Sequence, residues 1–383
     1  MEQNGFGEAA TGTLVPTIGG RKAFVPHKLP PVLDLNPLAA QLSAASQAIG
    51  ELRGIGRGMA NPMLLIRPLQ RREAVSSSGM EGTYTTLSDL FLFEAGAGDA
   101  GKREDNREVY NYVRGLETAI QQLDELPISS RLLRNAHRLL LDGVAKHRGA
   151  AVDAGELKRD QNWIGGTGRI ETARFIPPPP REAADALDDL AKFINRADRG
   201  DLPPLIDAAL AHYQFETIHP FADGNGRVGR MLITLILIQS DTLRQPLLYM
   251  SPWLERHKDR YIDLMYEVSR KGEWLPWLSF FLEAVTESAL GTIRVVERLQ
   301  DLQTQYRERF QQARQSALLP RIIDLAFQQP AMTITDIAQQ IGVTYQASAN
   351  NVAVLVGAGV ASEIGSHPKV IVFDEILEAL RVE

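Results

Sequence analysis

Apolar residues recur at three- and four-residue spacing through most of this 383-residue chain, the period of helices with one buried face. The spacing predicts helices over residues 35–52, 83–93, 103–123, 129–145, 181–197, 202–217, 226–239, 252–270 and 274–299, the last continuing as a charged helix to about 314. Asn61-Pro62 is a start signal for a further helix running towards Ser78, because proline in the first turn gives up no helical hydrogen bond. Three stretches lack this period. Residues 1–33 are rich in Pro and Gly and read as an extended arm. Residues 162–176 set Gly165, Gly166 and Gly168 between Trp163/Ile164 and Phe175/Ile176, a short hairpin or flap stopped by the prolines at 177–180. In the tail, 321–328, 335–341 and 344–356 read as three short helices and 370–373 as a strand, the pattern of a winged helix-turn-helix. The fold class is therefore mainly α.

Composition narrows the class of protein. With 44% hydrophobic and 23% charged residues, the chain suits two or three globular domains and excludes wholesale disorder. There is no cysteine, hence no disulfide framework, no zinc–thiolate site and no thiol nucleophile. A net charge of −6 argues against a protein that coats nucleic acid. The N-terminus carries no basic-then-apolar leader, and the longest apolar run, near 231–238, is too short to span a bilayer. A cytoplasmic location is expected.

Two motifs mislead. Residues 96–102 approach a P-loop but carry Arg103 where a magnesium-binding hydroxyl belongs. Gly224, Gly226 and Gly229 match the dinucleotide glycine spacing, but a helical pattern precedes them where that fold needs a strand.

The chemistry concentrates in His219-Pro220-Phe221-Ala222-Asp223-Gly224-Asn225-Gly226-Arg227-Val228-Gly229-Arg230. Read physically, this is a helix end, a tight loop and a new helix. The glycines let backbone N–H groups turn inward at a helix N-terminus, an anion site. Arg227 and Arg230 share one face of the new helix, suited to a polyphosphate. Asp223 is a hard oxygen ligand for magnesium. His219 is the group that can take a proton near neutral pH.

This segment resembles the HPFx(D/E)GNGRxxR motif of the Fic family, which transfers AMP from ATP to protein hydroxyls. Every fixed position is matched. The resemblance implies a Fic-type helical bundle with a β-hairpin flap. It makes His219 the general base and Asp223 the magnesium ligand. It assigns ATP binding to Gly224, Asn225 and Gly226 at the α-phosphate, to Arg227 and Arg230 at the β- and γ-phosphates, and to the adjoining Val228 and Gly229. Phe221 would anchor the loop. Relatives that phosphorylate carry Lys in place of Gly226, so AMP transfer is favoured. Gln161 to Gly166 resembles the flap that covers ATP, adding Ile164, Gly165, Gly166 and Thr167 to the site, and Tyr261 falls where relatives line the adenine pocket. His212, two helical turns before His219, reads as structural.

Residues 77–82 resemble the family's inhibitory motif, (S/T)xxxE(G/N), with Ser77, Glu81 and Gly82 at its fixed positions. The implied role of Glu81 is to pair with Arg230 and block a productive γ-phosphate pose. The implied organisation is an N-terminal arm and helical region over 1–115 with the inhibitory helix near 68–82, a catalytic core over 116–290, a linker helix over 291–315 and a winged-helix-like domain over 316–383. The implied substrates are ATP, with magnesium, and a protein bearing an accessible hydroxyl. Self-modification and a homodimer are both compatible with the family. DNA is a poor partner: from Ser316 onward three basic residues face seven acidic ones, and residues 344–356 carry no Lys or Arg. The rival reading is a transcriptional regulator that only senses nucleotide. Such a sensor has no need of His219.

Overall fold

The computed structural model describes residues 6–58, 63–97, 103–144, 153–310, 316–365 and 369–381. The predicted helix start at Asn61-Pro62 and most of the P-loop lookalike lie outside them. The chain divides into two compact units. One comprises Met1–Ile49, Asn111–Arg244 and Met250–Glu287; the other comprises Gly50–Tyr110, Gln245–Tyr249 and Ser288–Glu383. The helices α1 (Ala39–Gly58), α4 (Arg103–Gln122) and α11 (Trp274–Phe310) contribute residues to both.

The first unit is built around α7 (Pro204–Ile218) and α8 (Asn225–Gln239). Every residue from Leu205 to Phe215 and from Asn225 to Leu237 is buried. A helix apolar on all sides belongs in the middle of a bundle, and α5 (Ser130–Leu140), α6 (Pro180–Ile194), α9 (Ser251–Arg256), α10 (Lys258–Lys271) and the start of α11 complete that bundle. The indole N–H of Trp277 on α11 donates to the Ala209 carbonyl of α7 at 3.2 Å. The expected helix over 252–270 is two, α9 and α10, separated at His257.

Two expectations change here. The N-terminal arm is a hairpin: β1 (Gly12–Pro16) pairs antiparallel with β2 (Lys22–Pro26), Leu14 opposite Phe24. Five-residue strands around the Gly19-Gly20 turn are too short to show a sustained alternation. Ala23, Ile170, Ala173 and Ile176 form a small core with Val15 and Trp163 packed against it, and the Phe24 N–H donates to the Ile176 carbonyl at 2.8 Å. The flap, conversely, has less strand than expected. Ile164 and Phe175 make a single antiparallel bridge, and the tip winds into a short 3₁₀ turn over Ile170–Thr172. Gly165, Gly166 and Gly168 all have positive φ, which takes the backbone out of the extended region and ends the ladder.

The second unit holds α2 (Met63–Gly79), α3 (Leu87–Glu94) and the C-terminal elements. These run α12 (Leu318–Gln328), β3 (Ala331–Thr333), α13 (Ile334–Ile341), α14 (Tyr345–Gly357), β4 (Ser362–Ile364), β5 (Val370–Val372) and α15 (Asp374–Ala379). The strands form an antiparallel sheet in the order β3-β5-β4, with Met332 and Glu363 flanking Ile371. The hydroxyl of Thr333 and the carboxylate of Asp336 cap α13 reciprocally. Helices α12, α13 and α14 fall where the period places them, and α15, six residues long, lies beyond the expected elements. Strands β3 and β4, at three residues each, do not register as patterns.

Candidate active site

Helix α7 ends at His219, whose backbone is left-handed at φ 48°, ψ 59°, and whose N–H donates to the Phe215 carbonyl at 2.9 Å. The loop is then locked from within. The Phe221 N–H donates to Asn225 Oδ1 and Asn225 Nδ2 donates back to the Phe221 carbonyl, both at 2.8 Å. Gly224 precedes α8 at φ 79°, and a Cβ there would press on Leu140 at 3.2 Å and on the His137 ring at 3.4 Å. Glycine is thus favoured by the left-handed conformation, and the space beside it is tight. The loop presents the first amides of a buried helix, the geometry of an anion site.

The histidine's tautomer follows from its neighbour. His219 Nδ1 lies 3.2 Å from the Glu216 carbonyl oxygen. A carbonyl can only accept, so Nδ1 carries the proton. In the neutral ring Nε2 then holds the lone pair, as a general base requires. Asp223 is partly exposed, and its Oδ1 accepts from the Gly224 N–H at 2.7 Å and lies 3.6 Å from Arg227 Nη2. Arg227 is fully buried and Arg230 is 4% exposed, so both guanidiniums sit where a dry site strengthens their pull on phosphate. Val228 and Gly229 are buried in the same helix.

On the flap, Gly165, Gly166 and Thr167 are exposed and Ile164 is half-buried. The Thr167 N–H donates to the Thr172 hydroxyl at 2.9 Å. Tyr261 is 4% exposed and lies within the aromatic core, near Trp277 and Phe280. Its hydroxyl donates to His212 Nε2 at 2.6 Å, since His212 Nδ1 must donate to the Gly229 carbonyl at 3.0 Å. In the second unit Ser77 is buried near the end of α2. Glu81 and Gly82 follow in a turn where the Glu81 and Thr83 N–H groups both donate to the Ser78 carbonyl at 3.0 Å.

His137 escapes sequence reasoning. Its ring stacks on Phe221 at 3.9 Å and 9°. Nδ1 accepts from the Gly155 N–H, and Nε2 donates to the Asp223 carbonyl, both at 2.9 Å. It thus backs the loop from 86 residues away in sequence, and no local pattern marks it. Burial pushes His137 down to about 4 and His212 down to about 3. Both stay neutral in the fold, whereas the unfolded chain protonates them near the ordinary value of 6.5. The unfolded state therefore binds more protons below that pH. Stability is fully present above about 6.5 and falls steadily as pH drops towards 4 and then 3. For His137 alone the loss is roughly 3 kcal/mol. Urea midpoints measured from pH 7 to 4 should decline, and less steeply in His137→Gln. Equal slopes would mean that this ring does not titrate against folding.

A helical domain whose histidine-capped loop feeds the buried N-terminus of an arginine-bearing helix has the geometry of an anion site. Its sequence is matched by the family profiles described as Fic/DOC family N-terminal, over residues 39–121, and Fic/DOC family, over residues 127–237. The chain belongs to the Fic/DOC family. The Protein adenylyltransferase Fic of Drosophila sechellia is 29% identical over 170 residues, 43% of this chain and 31% of that one. That of Drosophila mojavensis is 30% identical over the same shares. The chain thus spans about a third of the length of the curated relatives it matches. A solved Fic family protein from Desulfovibrio desulfuricans G20 superposes with a TM-score of 0.58 at 20% identity, covering 90% of this chain and 98% of the other. A Fic domain containing signaling protein from Bacteroides thetaiotaomicron gives 0.51 at 22% identity, covering 65% and 97%. These two share the fold.

Proposed function

We propose that this chain is a protein adenylyltransferase that moves AMP from ATP to a Ser, Thr or Tyr hydroxyl of a protein. The observation that carries the reading is the contact of His219 Nδ1 with the Glu216 carbonyl at 3.2 Å, at the loop that opens α8, which favours a proton on Nδ1 and a basic Nε2. The attacking hydroxyl gives its proton to Nε2 as its oxygen bonds to the α-phosphorus. The bond from that phosphorus to the bridging oxygen breaks, and pyrophosphate leaves. Charge on the non-bridging oxygens is met by the amides of Gly224 to Gly226, and Arg227 and Arg230 hold the outer phosphates. Magnesium fits the donor present: one partly exposed carboxylate, Asp223, suits an ion that takes its other oxygens from phosphates and water. Asp223 would hold it, and bound there it would neutralise phosphate charge. The flap would cover the nucleotide and receive the target by strand addition, and Glu81 would restrain the enzyme through Arg230.

The test is incubation with ATP labelled on its α-phosphate, comparing wild type with His219→Ala on protein targets. Label carried equally by both chains would defeat the assignment. The C-terminal unit favours protein contact over DNA. The exposed face of α14 offers Tyr345, Gln346, Asn350 and Val354, and the helix has no cation. Random duplex DNA at low salt should bind weakly, with little salt dependence. Tight, salt-sensitive binding in a fluorescence titration would favour the regulator instead.

A further inference from the structure

The four consecutive carbonyls that leave α7 are all held by one short segment. Lys158 Nζ donates to the Ile218 carbonyl at 3.3 Å, and the Lys158 backbone N–H donates to that of Pro220 at 2.9 Å. Asn162 Nδ2 donates to the carbonyls of His219, at 3.1 Å, and Phe221, at 3.0 Å. The two side chains are themselves joined, Lys158 Nζ donating to Asn162 Oδ1 at 2.7 Å. That bond orients the amide: with Oδ1 taken by the ammonium, Nδ2 faces the loop.

Why the loop needs holding follows from His219. Its left-handed backbone is one that a residue with a Cβ keeps only where its surroundings over-determine it. A return to negative φ would swing the Cα–Cβ bond and part Nδ1 from the Glu216 carbonyl. A helix end also leaves carbonyls without intrahelical partners, and here that of Ile218 is met by the lysine while the loop carbonyls of His219 and Phe221 are met by the amide. Keeping an ammonium in this place is costly. Lys158 is 5% exposed, and burial pushes it down to about 7. A methionine would fill such a space without that cost, so the amine is there for what it bonds.

We propose that Lys158 and Asn162 are positioning residues for His219, a clamp that fixes the direction of its imidazole and joins the base of the flap to the loop. Asn162 directly precedes Trp163 and Ile164, so a displacement of the flap reaches the histidine through a single side chain. The proposal rests on the adenylyl-transfer reading only for its activity assay.

The test uses the full chain with Asn162→Asp and Lys158→Met. The aspartate keeps the size of Asn162 and an oxygen for Lys158 but loses both donors to the loop. The expected result is a fall in kcat for AMP transfer of about tenfold or more, since misplacement by a fraction of an ångström is expensive. KM for ATP should stay within about twofold, because the phosphate-binding groups are untouched. A second readout needs no activity. The His219 imidazole, assigned by its absence from His219→Ala in ¹⁵N spectra, should be Nδ1-protonated in wild type and a tautomer mixture in either variant. A wild-type kcat with a wild-type His219 spectrum would overturn the clamp, as would a lowered melting temperature with both unchanged. If wild type itself transfers no AMP, the functional reading fails and the spectrum still decides the clamp.

Discussion

His219→Ala is expected to lose AMP transfer by about a thousandfold or more while binding ATP within about threefold of wild type. Proton removal by a positioned base contributes roughly 10²–10⁴-fold, equivalent to about 3–5 kcal/mol of barrier. The phosphates are proposed to be held by Gly224 to Gly226, Arg227 and Arg230, none of which needs the imidazole. A loss confined to kcat is therefore the signature of the base. One confounding effect is built into the substitution. Alanine is poorly suited to the left-handed backbone at 219, so the loop itself can relax. His219→Asn separates the two causes, because asparagine tolerates that conformation but cannot accept the proton. Both variants should be inactive and both should bind ATP by calorimetry. An active His219→Asn would show that geometry, and not proton transfer, is what the histidine supplies.

The part of the site legible in sequence is the part that is local. His219 to Arg230 are contiguous, and the roles proposed for them follow from one helix end, one loop and one helix start. The groups that hold this segment in shape are distant. His137 reaches the loop across 86 residues and Asn162 across 57, and each looks in sequence like any polar residue beside an apolar one. Tyr261 enters by resemblance alone, since an aromatic on an apolar helix face reads as core; its hydroxyl is engaged by His212 and its ring packs near Trp277 and Phe280. The same division holds for the fold. The long helices declare themselves by period. The β1–β2 hairpin, a single bridge in the flap and three-residue strands depend on contacts that no short window contains.

Glu81→Gly is expected to raise the rate of AMP transfer by about tenfold or more. The argument starts from competition. A guanidinium binds a carboxylate or a phosphate through the same fork of N–H groups, and a bidentate partner of one kind excludes the other. If Glu81 occupies Arg230, the γ-phosphate cannot, and ATP binds with its α-phosphorus turned away from the attacking oxygen. Removing the carboxylate returns the guanidinium to phosphate, and in-line geometry is worth several kcal/mol. The gain is expected in kcat more than in ATP affinity, because an enzyme restrained in this way would still hold nucleotide in an unproductive pose. Glycine also suits the position: Glu81 lies in a turn beyond the end of α2, next to Gly82 at φ 86°, so little helix is lost. Arg230→Ala should not mimic the effect, since it deletes the phosphate contact together with the restraint. The pair Glu81→Gly and Glu81→Gly/Arg230→Ala therefore decides the matter by initial rates with α-labelled ATP. A fast single variant and a slow double one support the restraint. A single variant no faster than wild type would leave Glu81 as a carboxylate at a helix end.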